Sequence, residues 1–278
     1  MESRIASALA LRNEPVAVLG VDSRPPGAIQ FREGKMGCVI NMLVSAVKGR
    51  TVAFSRSTCG CPGGGTGLGF GNQYKDLPGG EEAFCYFLST GAKEWERGRW
   101  VTRLLKPFIN RELYHMFTNG ERYLKTPQQV RSFLSCLPMT NVPYEYIVFK
   151  PLGQVSPDDG SVKTVIFLVD YDQLSAMVCL ANYDRDSNDN VITPWAAGCQ
   201  SIGIYPLAEA AREHPRGVIG MMDIYSRVKV KRQLKSDVLS FAVPYGLFLE
   251  MEANVSGSFL EGSTWKELTD LKKAPPSP

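Results

Sequence analysis

Residues 162–183 read VKTVIFLVDYDQLSAMVCLANY. Val162 to Val169 is an apolar run of the length and composition of a buried strand. From Asp170 to Tyr183 the chain turns helix-forming, with Asp170 or Asp172 placed to cap the helix. A buried strand passing into a capped helix is the repeating step of an α/β architecture.

Outward from this stretch the same alternation recurs. Tyr146 to Phe149 reads as a second clear strand. Val16 to Val21, Thr51 to Phe54 and Val218 to Met222 read as shorter ones. Helical composition covers residues 2–12, ended by Pro15, and Cys38 to Val47, which stops before Gly49. Glu81 to Leu88 carries acids in its first turn, where the helix dipole favours them. Residues 110–119 and 127–136 follow, the latter opened by Thr126-Pro127, and Leu247 to Val255 forms a late helix. Arg24-Pro25-Pro26-Gly27 is a turn, residues 184–190 (DRDSNDN) a polar loop, and residues 59–71 (CGCPGGGTGLGFG) a glycine-rich loop.

The expectation is an α/β fold with one mixed sheet and flanking helices, a single domain over 1–278 with a frayed tail over 269–278. Gly37-Cys38 opens an apolar helix containing Ala46, followed by a basic residue, a glycine and a strand. Gly198-Cys199 repeats that plan, with Ala208, Ala210, Ala211 and Arg216-Gly217. Two related halves, about 1–140 and 141–268, are one reading of this; chance similarity is the other.

The composition is that of an ordinary globular chain: 44% hydrophobic, 21% charged, net charge +3. Nothing in it calls for nucleic acid. The densest basic cluster, Lys229, Lys231, Arg232 and Lys235, alternates with Val228 and Val230 as a solvated strand face would. There is no apolar run of about 18 residues that could span a membrane, so no membrane partner is expected. MESRIASALALRNEP makes a poor signal peptide, with Glu2 in its charged region, and a cytoplasmic location is expected. In that compartment the seven cysteines are buried thiols, metal ligands or reactive groups rather than disulfides.

Cys59-Gly60-Cys61-Pro62-Gly63-Gly64-Gly65 carries the strongest chemical signal. Thiolates need positive surroundings, which backbone N–H groups in glycine turns and at helix N-termini supply. Gly63, Gly64, Gly65 and Gly67 would let the backbone approach and tune an inorganic cluster. Cys38 and Cys199, each after a glycine at a helix start, could complete the ligand set; a tight turn with two buried thiols is the structural alternative. Zinc is disfavoured, because paired Cys-x-x-Cys motifs are missing and there are only two histidines. His115 and His214 read as structural or exposed. No Lys-Ser/Thr follows the glycines, so the segment is not a P-loop, though a backbone-held anion stays open. Cys85, Cys136 and Cys179 lie among apolar residues and are expected in the core. Asp223 and Arg227, four apart after a strand, suit either an internal ion pair or a substrate carboxylate.

CGCPGGGTGLGFGNQY, YIVFKPL, DYDQLSAMVCLANY, GCQSIGIYPLAEA, RGVIGMMDIYSR and FAVPYGLFLEMEANVSGSFLEG, in this order, resemble the ArCR family, a prokaryotic domain of unknown function. The resemblance spans about residues 15–268. It implies functional cysteines at Cys38, Cys61 and Cys199, with Cys59 optional, and functional roles for Asp223 and Arg227. It implies no particular reaction, and whether the chain is an enzyme stays open. Three separated cysteines beside glycine turns resemble a [4Fe–4S] site with one open iron, serving redox or substrate chemistry with a small-molecule ligand or an electron-transfer partner. The competing reading is a metal-free protein holding a small anion or metabolite in the glycine loop. A cysteine-nucleophile enzyme ranks third, for want of a histidine partner.

Overall fold

A computed structural model describes residues 1–33, 35, 37–231, 233–235 and 237–273. Arg232 of the basic cluster and residues 274–278 of the expected tail lie outside the described residues. The chain forms two compact units. One comprises Met1–Gln30, Cys38–Ser55 and Pro143–Pro278, the other Phe31–Gly37 and Arg56–Val142.

Among the described residues the strands are β1 (Val16–Val21), β2 (Val52–Ser55), β3 (Tyr146–Pro151), β4 (Val162–Val169), β5 (Val191–Ile192), β6 (Gly217–Gly220) and β7 (Leu239–Pro244). The α-helices run α1 (Arg4–Ala8), α2 (Val39–Val47), α3 (Pro62–Gly67), α4 (Gly80–Leu88), α5 (Gly98–Leu105), α6 (Arg111–Asn119), α7 (Pro127–Cys136), α8 (Tyr171–Asn182), α9 (Gly198–Ser201), α10 (Ile204–Glu209), α11 (Ile224–Val230), α12 (Tyr245–Ala253) and α13 (Ser263–Lys273).

All seven strands belong to the first unit and make one open, mixed sheet in the order β2-β3-β1-β4-β7-β6-β5. Neighbours pair antiparallel except β5 with β6. The centre is the antiparallel pair β1·β4, with Val16 opposite Ile166. Outward from it, each side repeats one connectivity. On one side come the first, third and second strands of the run β1, β2, β3; on the other, the first, third and second of β4, β6, β7. The two-residue β5 is added outside β6. Two antiparallel strands at the centre with matching connections on either side have the connectivity of a two-fold repeat. This topological boundary falls between β3 and β4.

The apolar run of β4 is buried because helices cover the sheet. Phe167 and Phe241 pack with Met177 and Leu180 of α8, Leu247, Phe248 and Met251 of α12, and Ile5 of α1. Asp170 caps α8: its Oδ1 accepts from the Gln173 N–H at 3.1 Å, and Gln173 Oε1 accepts from the Asp170 N–H at 3.0 Å. Residues 269–273, expected in a frayed tail, instead continue α13, and Lys272 Nζ donates to Asp170 Oδ2 at 2.5 Å.

Residues 228–230, read as part of a strand face, belong instead to helix α11. The Val228/Val230 alternation mimics a period of two, but burial follows the helical period. Ser226 and Val230, four apart, are buried, while Val228 is 59% exposed. Strand β7, helices α5 and α13, and the break between α9 and α10 have no counterpart in the sequence reading.

The second unit is helical. Ala83, Ala92, Trp95, Val101, Leu105 and Phe117 form its core, with Tyr86 stacked on Trp95 at 5.1 Å between ring centroids and Phe87 on Phe117 at 5.5 Å.

Candidate functional site

The glycine-rich segment is not a loop: Pro62–Gly67 is the helix α3. Four glycines in six residues are about the poorest helix composition short of proline, each costing about 1 kcal/mol against alanine. Neighbouring contacts supply what propensity lacks. Pro62 occupies the first turn, and Cys61 is the N-cap, its Sγ accepting from the Gly64 N–H at 3.4 Å. Thr66 Oγ1 accepts from the Gln73 N–H at 3.0 Å. A β-carbon on Gly65 would lie 1.6 Å from Gln73 Oε1, so the glycine is what admits this carboxamide. Gly64, Gly65 and Gly67 are buried.

Cys59 is buried, and its Sγ lies 3.9 Å from the Cys61 carbonyl oxygen. Burial, reinforced by the neighbouring Cys61, pushes its thiol up to about 12, so it stays a neutral thiol at physiological pH. Arg56 fixes the base of this segment. Its guanidinium donates to the carbonyls of Phe70 and Val142, at 2.8 Å each, and lies over the Phe70 ring at 5.1 Å.

In the first unit, Cys38 is the N-cap of α2 and makes no side-chain capping bond. Cys199 is the second residue of α9. These two helices pack on one another: a β-carbon on Gly198 would lie 3.2 Å from Ile40 Cδ1. Asp223 ties this region together. Its Oδ1 accepts from the Ser226 N–H at 2.8 Å, capping α11, and its Oδ2 accepts from the Gly198 N–H at 2.7 Å, next to Cys199. The Arg227 guanidinium donates to the Val238 carbonyl.

The seven cysteines therefore separate by environment. Cys59 and Cys85 are buried, and burial raises the Cys85 thiol as well. Cys136 and Cys179, expected in the core, are exposed. Their helices turn other apolar side chains inward: Val130 and Leu134 on α7, Ala176, Met177 and Leu180 on α8. Cys38, Cys61 and Cys199 are partly exposed, each at a helix start. Cys38 and Cys199 belong to the first unit and Cys61 to the second. His115 and His214 are exposed. Among the described residues, no group of three or more His, Cys, Asp or Glu side chains is gathered closely enough to hold a metal ion.

Gln73, Arg56 and Ser226 shape these regions and were not singled out from the sequence. The Asp223-x-x-Ser226 spacing is a capping signal that could have found the last. Gln73 acts back across the turn on Thr66 and Gly65, and Arg56 on Phe70 and the distant Val142.

Fold and thiols together describe an α/β protein with one mixed seven-stranded sheet and partly exposed cysteines at helix starts. The chain belongs to the family described as Uncharacterised ArCR, whose model matches residues 4–254. No curated protein and no solved structure matches it. Among the described residues no helix is long and apolar enough to cross a membrane.

Proposed function

We propose that this chain binds an iron–sulfur cluster through Cys38, Cys61 and Cys199, with one iron left for a further ligand or for a substrate. One observation carries the reading. Of the seven cysteines, these three combine partial exposure with a helix start, and the resemblance to the ArCR family implies the same three positions. The positive end of a helix dipole favours negative charge, and soft thiolates are the usual ligands of iron–sulfur clusters. The support is this donor chemistry, since no assembled ligand set is present among the described residues. Cys59, a neutral buried thiol, is the weakest of the four candidates.

The glycine-loop alternative has less behind it, because the face of α3 at Gly65 is filled by the protein's own Gln73. The bound cluster would supply electron transfer or Lewis acidity. Asp223 and Arg227 are the candidates for orienting a substrate, Asp223 through its place beside Cys199.

The test is anaerobic purification of the full chain, with a visible spectrum and iron and acid-labile sulfide assays on one sample. A broad band near about 400 nm with iron and sulfide in comparable amounts is expected. Both should be lost in Cys38→Ser, Cys61→Ser and Cys199→Ser and kept in Cys136→Ser and Cys179→Ser. A colourless, iron-free protein after anaerobic reconstitution would overturn the proposal.

A further inference from the structure

Helix α5 of the second unit has two apolar sides, and the core uses only one. Val101 and Leu105 point inward, to Ala83, Ala92, Trp95 and Phe117. On the outer side Trp100 is 51% exposed, Leu104 41%, and Phe108, in the turn that follows, 74%. Trp100 and Leu104 are four apart and so share a face. The Phe108 N–H donates to the Leu105 carbonyl at 2.9 Å, which keeps the turn wound after the helix ends.

Within the stretch that carries this row, charge is of one sign. Between residues 97 and 111 the chain carries Arg97, Arg99, Arg103, Lys106 and Arg111 and no acid. All five cations are exposed. The exposed acids Glu94, Glu96 and Glu112 flank that stretch, so cations predominate around the row without being alone. The side chains exposed here are therefore aromatic, aliphatic and cationic, the mixture that lies in the headgroup region of an anionic bilayer.

We propose that the α5 face, through Trp100, Leu104 and Phe108 with their surrounding arginines, docks on an anionic lipid surface. The expectation of no membrane partner rested on the want of a spanning segment, which does not bear on a surface contact. A second copy of the chain fits less well, because a two-fold contact would set these cations against themselves. A single-stranded nucleic acid also fits less well. Arg97 already lies over the Trp100 ring, 5.6 Å from its centroid, and the aliphatic Leu104 beside it offers no stacking surface.

The experiment is flotation of the full chain with vesicles of phosphatidylglycerol and phosphatidylcholine in equal parts, and with phosphatidylcholine alone. Binding to the anionic vesicles only, weakened by salt, is expected. The doubly substituted Trp100→Ser/Phe108→Ser chain should bind about tenfold more weakly or worse, from the apolar area withdrawn. Arg99→Gln/Arg103→Gln keeps every apolar group and should lose about 25-fold, at about fivefold per cation. These positions are exposed, and an unchanged melting temperature in either variant verifies folding. No flotation with anionic vesicles would overturn the proposal, as would flotation that both variants leave intact. Oligonucleotide binding, or self-association, that depends on Trp100 in the absence of lipid binding would assign the face to those partners instead.

Discussion

The two sides of the sheet share a connectivity but fill their outer positions differently. In β2, Phe54 is fully buried and meets Phe149 of β3 edge to face, with ring centroids 4.9 Å apart. In β6 the corresponding edge is built from glycine: a β-carbon on Gly217 would lie 2.4 Å from the ring of Phe241 in β7. One side brings its own aromatic ring; the other leaves room for its neighbour's. The connections differ too. The run from β2 to β3 accommodates nearly the whole second unit, Arg56–Val142, whereas among the described residues β6 reaches β7 through the single helix α11. Each connection begins with a capped helix, by Cys61 on α3 and by Asp223 on α11. One topology thus tolerates opposite packing solutions, provided each interface stays filled.

The sharpest way to break this comparison is at the aromatic side. Phe54→Ala should destabilise the protein by about 3–5 kcal/mol, read from denaturant midpoints, because a cavity opens against Phe149. A loss below about 1 kcal/mol would mean that the β2 edge collapses freely. Gly217→Ala tests the other side. It should cost about 1–3 kcal/mol by overpacking, since Phe241 is fully buried and cannot swing away; a neutral outcome would show a looser interface than the first.

The two caps should differ by less. Asp223→Ala removes acceptors from two N–H groups and should cost about 1–2 kcal/mol. Cys61→Ser keeps an acceptor at its cap and should leave the melting temperature nearly unchanged while abolishing iron binding. A large stability loss in Cys61→Ser would assign this thiol to packing.

The smallest effect concerns Asp170 and Lys272. Burial works to raise the Asp170 carboxyl, but the hydrogen bonds from Lys272 and from the Gln173 N–H outweigh it and hold the group below its usual value. A carboxyl with a depressed folded value stabilises at neutral pH and loses that contribution as pH falls through the folded value. Lys272→Ala should cost about 1 kcal/mol or less at neutral pH, given its partial exposure. It should also move the onset of acid unfolding upward, toward the ordinary carboxylate range. An unchanged acid limb in melting curves taken across pH would show that the pair contributes nothing.

Much of the frame is legible in the chain because it depends on neighbours in sequence. The strands at 16–21, 146–149 and 162–169 are apolar runs with clear ends. Asp170 and Thr126 cap the helices they precede through side chains three residues away. Glycine before an apolar stretch marked the helix starts at Cys38 and Cys199. Of the candidate site, those two cysteines and Asp223 were visible on local grounds. Strand β7 is defined by its pairing with β4 and β6, which its own sequence does not reveal.

By itself, then, the sequence determined an α/β protein of the ArCR family, with a mixed sheet, most of its central strands and three cysteines worth testing. Tertiary structure alone decided that PGGGTG is a helix, because Gln73, Thr66 and the Cys61 cap outweigh the cost of its glycines. It alone decided which cysteines are buried, because exposure depends on which face of a helix is turned to its core and not on which residues flank a thiol. The outward face of Trp100, Leu104 and Phe108 was hidden in the sequence for the same reason: an apolar residue at helical spacing reads as core until the core is seen to be already full.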